Sequence, residues 1–151
     1  MKNKKWTKKE LVYLKKNSDK LTRYSRTFAL TGDSIWEHKY FNILDIHKGK
    51  APWANGRIIS LHDSLQSFGF THEESQKLEI AEQNSDNLIQ TEKIAINAIN
   101  GLFDNGKGNF TIQKSPDTIF ARTLLFNKKY HEDKAKIMEP VEAFFKMFNQ
   151  R

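Results

Sequence analysis

The chain has 151 residues, with 25 Lys and Arg against 18 Asp and Glu, and it has no cysteine. This length holds one ordinary domain or a small domain with a helical extension, and the missing cysteines exclude disulfides, Cys-ligated zinc and thiol nucleophiles. Hydrophobic residues make up 38% of the chain, enough for a packed core, which argues against wholesale disorder.

The positive charge is concentrated at the start of the chain. Residues 1–50 hold 13 Lys and Arg against 5 Asp and Glu, residues 51–105 hold 3 against 8, and residues 106–151 hold 9 against 5. A basic head beside an acidic middle predicts an anionic partner for the head. Because the chain has neither a membrane-length apolar run nor a secretory signal sequence, we expect a cytoplasmic protein with no membrane partner.

Three short helices are predicted in the first 44 residues. Thr7 and Glu10 form a capping box at the start of the first helix, and Ser18-Asp19 is predicted to end it and to cap the second. A turn at Thr31-Gly32-Asp33 precedes the third helix. The predicted ranges are 8–17, 20–29 and 34–44. Three helices with such short connections form a compact unit, and a helix-turn-helix is one of its arrangements.

The rest of the chain is also predicted to be mostly helical. Residues 47–56 contain two Gly and one Pro and indicate a linker. Helices are predicted over 57–68, over 71–83 behind a Thr71–Glu74 capping box, over 86–103 behind Asp86, over 115–129, and from Pro140 onward. A turn over 104–109 and alternation over 110–112 predict one short strand or a hairpin near 104–113.

These elements predict an all-α fold with two parts. A helix-turn-helix-like basic unit of three helices covers residues 1–46, and residues 47–56 form the linker. A larger helical core or oligomerisation domain covers residues 57–151.

The residues of the basic unit follow a recognisable pattern. The start of the pattern is matched by Trp6, Thr7, Glu10, Tyr13, Leu14, Lys15 and Asn17. The end of its second helix is matched by residues 24–31, and the start of its third helix is matched by Ser34-Ile35. This pattern resembles the Myb/SANT-like helix-turn-helix at the N-termini of many phage and mobile-element proteins, over residues 4–46. The resemblance implies DNA binding with the third helix as the reader. Ala29-Leu30 in place of Gly-Arg, the late position of Ile43 and the negative Glu37 depart from the pattern.

The polar side of the third helix supports the same hypothesis. Asn can pair with adenine and Lys can reach guanine, so the predicted base-reading residues are His38, Lys39 and Asn42. The basic residues around them position the protein on phosphates without reading sequence; those predicted are Lys8, Lys9, Lys15, Lys16, Arg23 and Arg26. The function predicted is a double-stranded DNA-binding transcription regulator of a phage or mobile element, with no enzymatic activity, cofactor or metal.

Three alternatives stay open. The unit can be purely structural, with a solvated basic face. The protein can instead be a phage or mobile-element inhibitor or adaptor that binds a host protein, since the acidic middle can repel or mimic DNA. A third and weaker alternative is an HD-type metal-dependent phosphohydrolase, built on His38 or His47, then His62-Asp63, then Asp86 or Asp104.

The C-terminal half is rich in large apolar side chains. They either close the core against the helix over 86–103 or form a homodimer interface through the C-terminal helices. The residues concerned are Phe120, Leu124, Leu125, Phe126, Phe144, Phe145, Met147 and Phe148.

Overall fold

A computed structural model of the chain describes residues 12–52, residue 63 and residues 69–150. The fold of these residues is all-α with one small hairpin, as predicted. The elements are α1 (Tyr13–Thr31), α2 (Ser34–His47), α3 (His72–Ile99), β1 (Leu102–Asp104), β2 (Phe110–Gln113), α4 (Thr118–Phe126) and α5 (Lys128–Asn149). The helix predicted over 57–68, apart from residue 63, and the linker residues 53–56 lie outside the described residues.

The predicted break at Ser18-Asp19 is wrong, because α1 runs through both residues. Neither side chain bonds to the backbone of a new helix start. The Lys134 ammonium on α5 instead donates to Ser18 Oγ at 2.9 Å and pairs with Asp19 Oδ1 at 3.1 Å. Ser18 and Asp19 therefore contact α5 instead of capping a second helix, and α1 continues without a break.

The turn between α1 and α2 is confirmed. Gly32 has a φ of 68° and its N–H donates to Phe28 O at 2.8 Å, which closes α1. Asp33 then caps α2 by accepting a hydrogen bond from Ile35 N at 3.1 Å. The two helices are therefore joined by only two residues.

A single 28-residue helix, α3, replaces the two helices predicted over 71–83 and 86–103. Its capping box is confirmed, since Glu74 N donates to Thr71 Oγ1 at 3.2 Å and Thr71 N donates to Glu74 Oε1 at 2.9 Å. Asp86 lies inside the helix and is not a cap. The helix ends at Ile99 and not at Phe103, because Gly101 takes a φ of 73° that turns the chain into β1.

β1 and β2 form an antiparallel hairpin, which confirms the prediction near 104–113. Phe103 pairs with Ile112, and the register shifts between Phe103 and Asp104. Asp104 also ties the connecting turn, since its Oδ1 accepts hydrogen bonds from Gly106 N at 2.7 Å and Gly108 N at 3.0 Å.

The last two helices differ from their predicted bounds. Asp117, and not Ser115, caps α4, accepting from Phe120 N at 3.0 Å. α4 ends at Phe126, three residues early, and Asn127 caps α5 by accepting from Tyr130 N at 2.8 Å. Pro140 lies inside α5 instead of starting a helix.

The core is organised around α3, which contributes to two hydrophobic clusters. One joins α1, α2 and α3 through Leu21, Phe28, Tyr40, Ile43, Leu44, Ile89 and Ile96. The other joins α1, α3, α4 and α5 through Ala29, Leu88, Ala95, Ala98, Ala121, Leu125, Tyr130 and Ile137. Of the helices in the described residues, none is long and apolar enough to cross a membrane.

The C-terminal aromatic residues divide between core and surface. Phe144 is fully buried and packs edge-on against Phe70, with ring centroids 4.9 Å apart. Phe120 and Phe126 on α4 remain 39% and 41% exposed. The core interpretation therefore holds for Phe144, whereas the α4 aromatics stay accessible.

Candidate nucleic-acid interface

The predicted interface is described only in part. Lys8 and Lys9, predicted to contact phosphate, lie outside the described residues, as do Thr7 and Glu10. Every predicted site residue from Lys15 onward is described.

α1 presents basic side chains on the side opposite its core residues. Leu21, Ser25 and Phe28 are buried, whereas Lys15, Lys16 and Arg23 are exposed. This separation follows from the 3.6-residue period of the helix.

α2 has the same division. Tyr40, Ile43 and Leu44 are buried, and all three predicted base-reading residues are exposed: His38, Lys39 and Asn42. The side chains that can read base edges are thus accessible to a ligand.

An aromatic pair joins the two helices beneath these cations. The rings of Tyr24 on α1 and Trp36 on α2 have centroids 6.0 Å apart. The Lys39 ammonium lies 4.5 Å from the Trp36 centroid, and the Arg23 guanidinium lies 5.2 Å from the Tyr24 centroid. Cation–π attraction therefore holds a cation from each helix on one surface. We call this surface the α1–α2 face. Arg23 and Lys39 define it, and we assign to it the other exposed residues that the sequence predicts on the two helices: Lys15, Lys16, His38 and Asn42.

Two charged residues of the first two helices, Arg26 and Glu37, contact other helices of the protein. Arg26 donates from Nε to Leu125 O at 2.9 Å and lies 4.7 Å from the ring centroids of Phe126 and Tyr130. It packs α1 against α4 and α5 and does not join the α1–α2 face. Glu37 accepts a hydrogen bond from the Asn100 amide at the end of α3. Its carboxylate therefore joins α2 to α3.

A buried polar network lies behind α1. Glu92 is 1% exposed; the Tyr40 hydroxyl donates to its Oε1 at 2.9 Å and the Tyr130 hydroxyl to its Oε2 at 2.6 Å. Thr22 Oγ1 lies 2.8 Å from the Tyr130 hydroxyl and accepts from Lys134 at 3.0 Å. The network therefore connects α1, α2, α3 and α5.

Burial controls ionisation in this network. Desolvation raises the pKa of Glu92 to about 7, although the hydrogen bonds from Tyr130 and Tyr40 act in the opposite direction. Desolvation and the adjacent Glu92 raise the pKa of both tyrosines. The tyrosine hydroxyls thus remain donors while Glu92 changes its charge near neutral pH.

Sequence reasoning missed Glu92, although its position carries a signal. It lies four residues after Leu88 and three before Ala95, both of which face the core. A carboxylate at such a position is rarely buried without partners. The tyrosines that stabilise it come from 52 and 38 residues away, beyond the reach of helical periodicity.

The phosphohydrolase alternative has one contact in its favour. His47 Nε2 lies 3.6 Å from Asp86 Oδ1, which joins two of its proposed ligands. His62 lies outside the described residues. Within 12–52, 63 and 69–150, no group of three or more His, Cys, Asp or Glu side chains is arranged to hold a metal ion.

Comparisons with protein-family models, with curated proteins and with solved structures found no match to this chain.

Proposed function

We propose that the protein binds double-stranded DNA through the α1–α2 face and acts as a regulator in a phage or mobile element. The observation that carries the proposal is the placement of Lys39 and Arg23, from two helices, on one aromatic pair. The exposed His38 and Asn42 accompany them on α2. Cations of this kind bind phosphate, and an adjacent Asn or Lys can read bases.

Charge on the elements supports an anionic partner at this position. α1 carries five Lys and Arg against one Asp, whereas α3 carries two Lys against six Asp and Glu. The positive field is therefore concentrated on the helix that contributes Lys15, Lys16 and Arg23. Such a field steers a polyanion to that side of the molecule.

The test is a titration of labelled duplex fragments at about 50 mM and about 200 mM salt. Lys15→Ala and Lys16→Ala are expected to weaken binding to all sequences and to lower the salt slope by about one unit each. Lys39→Ala and Asn42→Ala are expected to cost about 1–3 kcal/mol on the preferred sequence and less on others.

Lys128→Ala and Lys146→Ala are the matched controls, because each removes one exposed lysine from α5, a helix that contributes no residue to the α1–α2 face. They are expected to change affinity little. Equal weakening by the α5 variants, or unchanged binding by all four test variants, contradicts the assignment of this face.

Binding to a host protein remains the second candidate, and α4 provides the observation that favours it. Ile119 is 77% exposed and Phe126 41%, two helical turns apart on one side of α4. Exposed apolar side chains grouped in this way are typical of protein contacts. A lack of duplex affinity even at low salt, together with loss of a protein partner in Ile119→Glu, would favour this candidate over DNA binding.

A further inference from the structure

α4 presents a surface to solvent that is poor in charge. Six of its nine side chains are exposed: Thr118, Ile119, Phe120, Arg122, Thr123 and Phe126. Arg122 is the only charged residue among them, whereas each of the other helices that the structure describes carries at least three charged residues. Depletion of charge and enrichment in aromatic residues are typical of the buried centre of a protein–protein interface. α4 therefore has the composition of a surface that another protein chain covers.

Three of these residues form a stripe along one side of α4. Ile119, Arg122 and Phe126 follow one another at i, i+3 and i+7, which places them on the same side of the helix. The Arg122 side chain lies against α1, because its Nε donates to Ala29 O at 2.9 Å. The Arg26 guanidinium of α1 lies 4.7 Å from the Phe126 ring centroid. α1 thus holds the stripe in place, which lowers the entropic cost of binding a partner there.

The spacing of the stripe makes it complementary to itself. Ile119 and Phe126 lie at equal distances on either side of the midpoint between Arg122 and Thr123. In an antiparallel pair of α4 helices, Ile119 of each copy therefore lies opposite Phe126 of the other, and a two-fold axis buries both residues twice. Arg122 lies nearest this axis, but its hydrogen bond to α1 keeps its charge against its own copy.

The charges at the two ends of α4 favour the same orientation. Asp117 caps the start of α4, and Lys128, which is exposed, follows shortly after its end. An antiparallel copy brings Asp117 of one chain beside Lys128 of the other at both ends, whereas a parallel copy brings like charges together. Antiparallel helix dipoles also attract. Exposed ion pairs add little affinity but fix the orientation of a contact.

We propose that α4 joins two copies of this chain in an antiparallel, two-fold symmetric dimer, with Ile119 of each copy packed on Phe126 of the other. A helix of nine residues spans only about 14 Å. The interface is therefore smaller than the standard size, and we expect a dissociation constant on the order of 10 μM. The dimer does not depend on DNA binding. Together with the proposed function, it presents two α1–α2 faces to two half-sites.

The test is sedimentation equilibrium of the full chain, without DNA, from about 1 μM to about 200 μM. The wild type is expected to pass from the monomer mass to the dimer mass. Ile119→Glu is expected to remain a monomer, because the contact would bury a carboxylate against Phe126 of the other copy. Circular dichroism establishes that the variant keeps the wild-type helix content, as expected for a change at an exposed position.

Ile80→Glu on α3 is the matched control, because Ile80 is also an exposed isoleucine on a helix. The start of α4 meets α3 at Ala98, whose carbonyl accepts from Asp117 N at 2.9 Å. Ile80 lies about 27 Å from Ala98 along α3. This variant is expected to dimerise like the wild type.

A second pair of variants tests the orientation. Lys128→Glu places a carboxylate beside Asp117 of the other copy and is expected to weaken the dimer at least about threefold at low salt. Removal of this charge costs little, whereas its reversal introduces repulsion at both ends. Lys146→Glu makes the same change in net charge near the other end of α5 and is expected to leave the dimer unchanged.

Three results overturn the proposal. A wild type that stays monomeric up to the highest concentration leaves α4 to a different protein. A dimer that Ile119→Glu does not weaken, or that Ile80→Glu weakens equally, forms through another surface. A dimer that Ile119→Glu abolishes but Lys128→Glu does not weaken is not antiparallel. Because no DNA is present, each result is separate from the test of DNA binding.

Discussion

Glu92 is a carboxylic acid that is almost completely buried, at 1% exposure. The carboxyl accepts hydrogen bonds from the hydroxyls of Tyr40 and Tyr130. Removing a carboxylate from water costs several kcal/mol, which hydrogen bonds offset only in part. The raised pKa of Glu92, about 7, is the consequence. At neutral pH the residue is therefore divided between its charged and neutral forms.

This environment predicts a pH-dependent stability. An unfolded Glu has a pKa near 4.5, and the pKa of Glu92 in the folded protein is about 7. Between these values the folded protein holds a proton that the unfolded chain releases, so the free energy of unfolding falls as pH rises, by up to about 3 kcal/mol. The glutamine side chain of Glu92→Gln is uncharged at every pH, so this variant is expected to lack the fall in the free energy of unfolding.

Urea unfolding at about pH 5 and about pH 8 measures the difference. The wild type is expected to lose stability relative to Glu92→Gln between the two conditions. Glu79→Gln, an exposed change on the same helix, is the control and should follow the wild type. If the free energy of unfolding changes equally with pH in the wild type and in Glu92→Gln, Glu92 does not ionise in this range.

At the scale of elements, α5 shows how a neighbouring helix stabilises an irregularity. Pro140 has no N–H, so the carbonyl of Lys136 lacks its usual partner four residues on. The Asn84 amide on α3 donates to Lys136 O at 3.0 Å. The contact satisfies this acceptor, and α5 continues to Asn149.

The role of Asn84 can be measured with a double-mutant cycle. Asn84→Ala is expected to destabilise the protein by about 1 kcal/mol, because it leaves the Lys136 carbonyl without a protein donor. In a Pro140→Ala background the restored N–H serves that carbonyl, and the cost of Asn84→Ala should largely disappear. Thermal or urea unfolding of the four proteins gives the coupling energy. If Asn84→Ala lowers the free energy of unfolding equally in both backgrounds, Asn84 does not stabilise the protein through the Lys136 carbonyl.

At the scale of the whole molecule, the predicted basic unit and the following helices share one core. Phe28 of α1 and Tyr40 of α2 lie in the same cluster as Ile89 and Ile96 of α3. Arg122 of α4 also donates from Nε to the α1 carbonyl of Ala29 at 2.9 Å. The division into a unit over 1–46 and a domain over 57–151 stays a prediction, and these contacts argue against independent folding of the first part.

A fragment of residues 1–52 tests that division. Without α3 it exposes Phe28 and Tyr40, so we expect partial helix content and no cooperative thermal transition. Circular dichroism of the fragment and of the full chain, measured under the same conditions, makes the comparison. A sigmoidal transition in the fragment would instead establish an independent N-terminal domain.

Local signals in the sequence predicted several features correctly. The Thr71–Glu74 capping box, the turn at Gly32-Asp33 and the hairpin near 104–113 each depend on residues close together in the chain. Helical periodicity also predicted the exposure of His38, Lys39 and Asn42. These features follow from backbone preferences and hydrogen bonds that form within a few residues.

Three of the errors share one physical cause, which is competition from distant partners. Ser18 and Asp86 have the side chains of helix caps, but each lies within a helix and contacts a side chain on another one, Lys134 and His47 respectively. Pro140 remains inside a helix with Asn84 as the donor from α3. The sequence by itself determined the helical class, the Thr71–Glu74 capping box, the turn at Gly32-Asp33 and the basic character of α1. Only the tertiary structure decided which polar residues interrupt a helix and which join two helices, because that depends on neighbours tens of residues away.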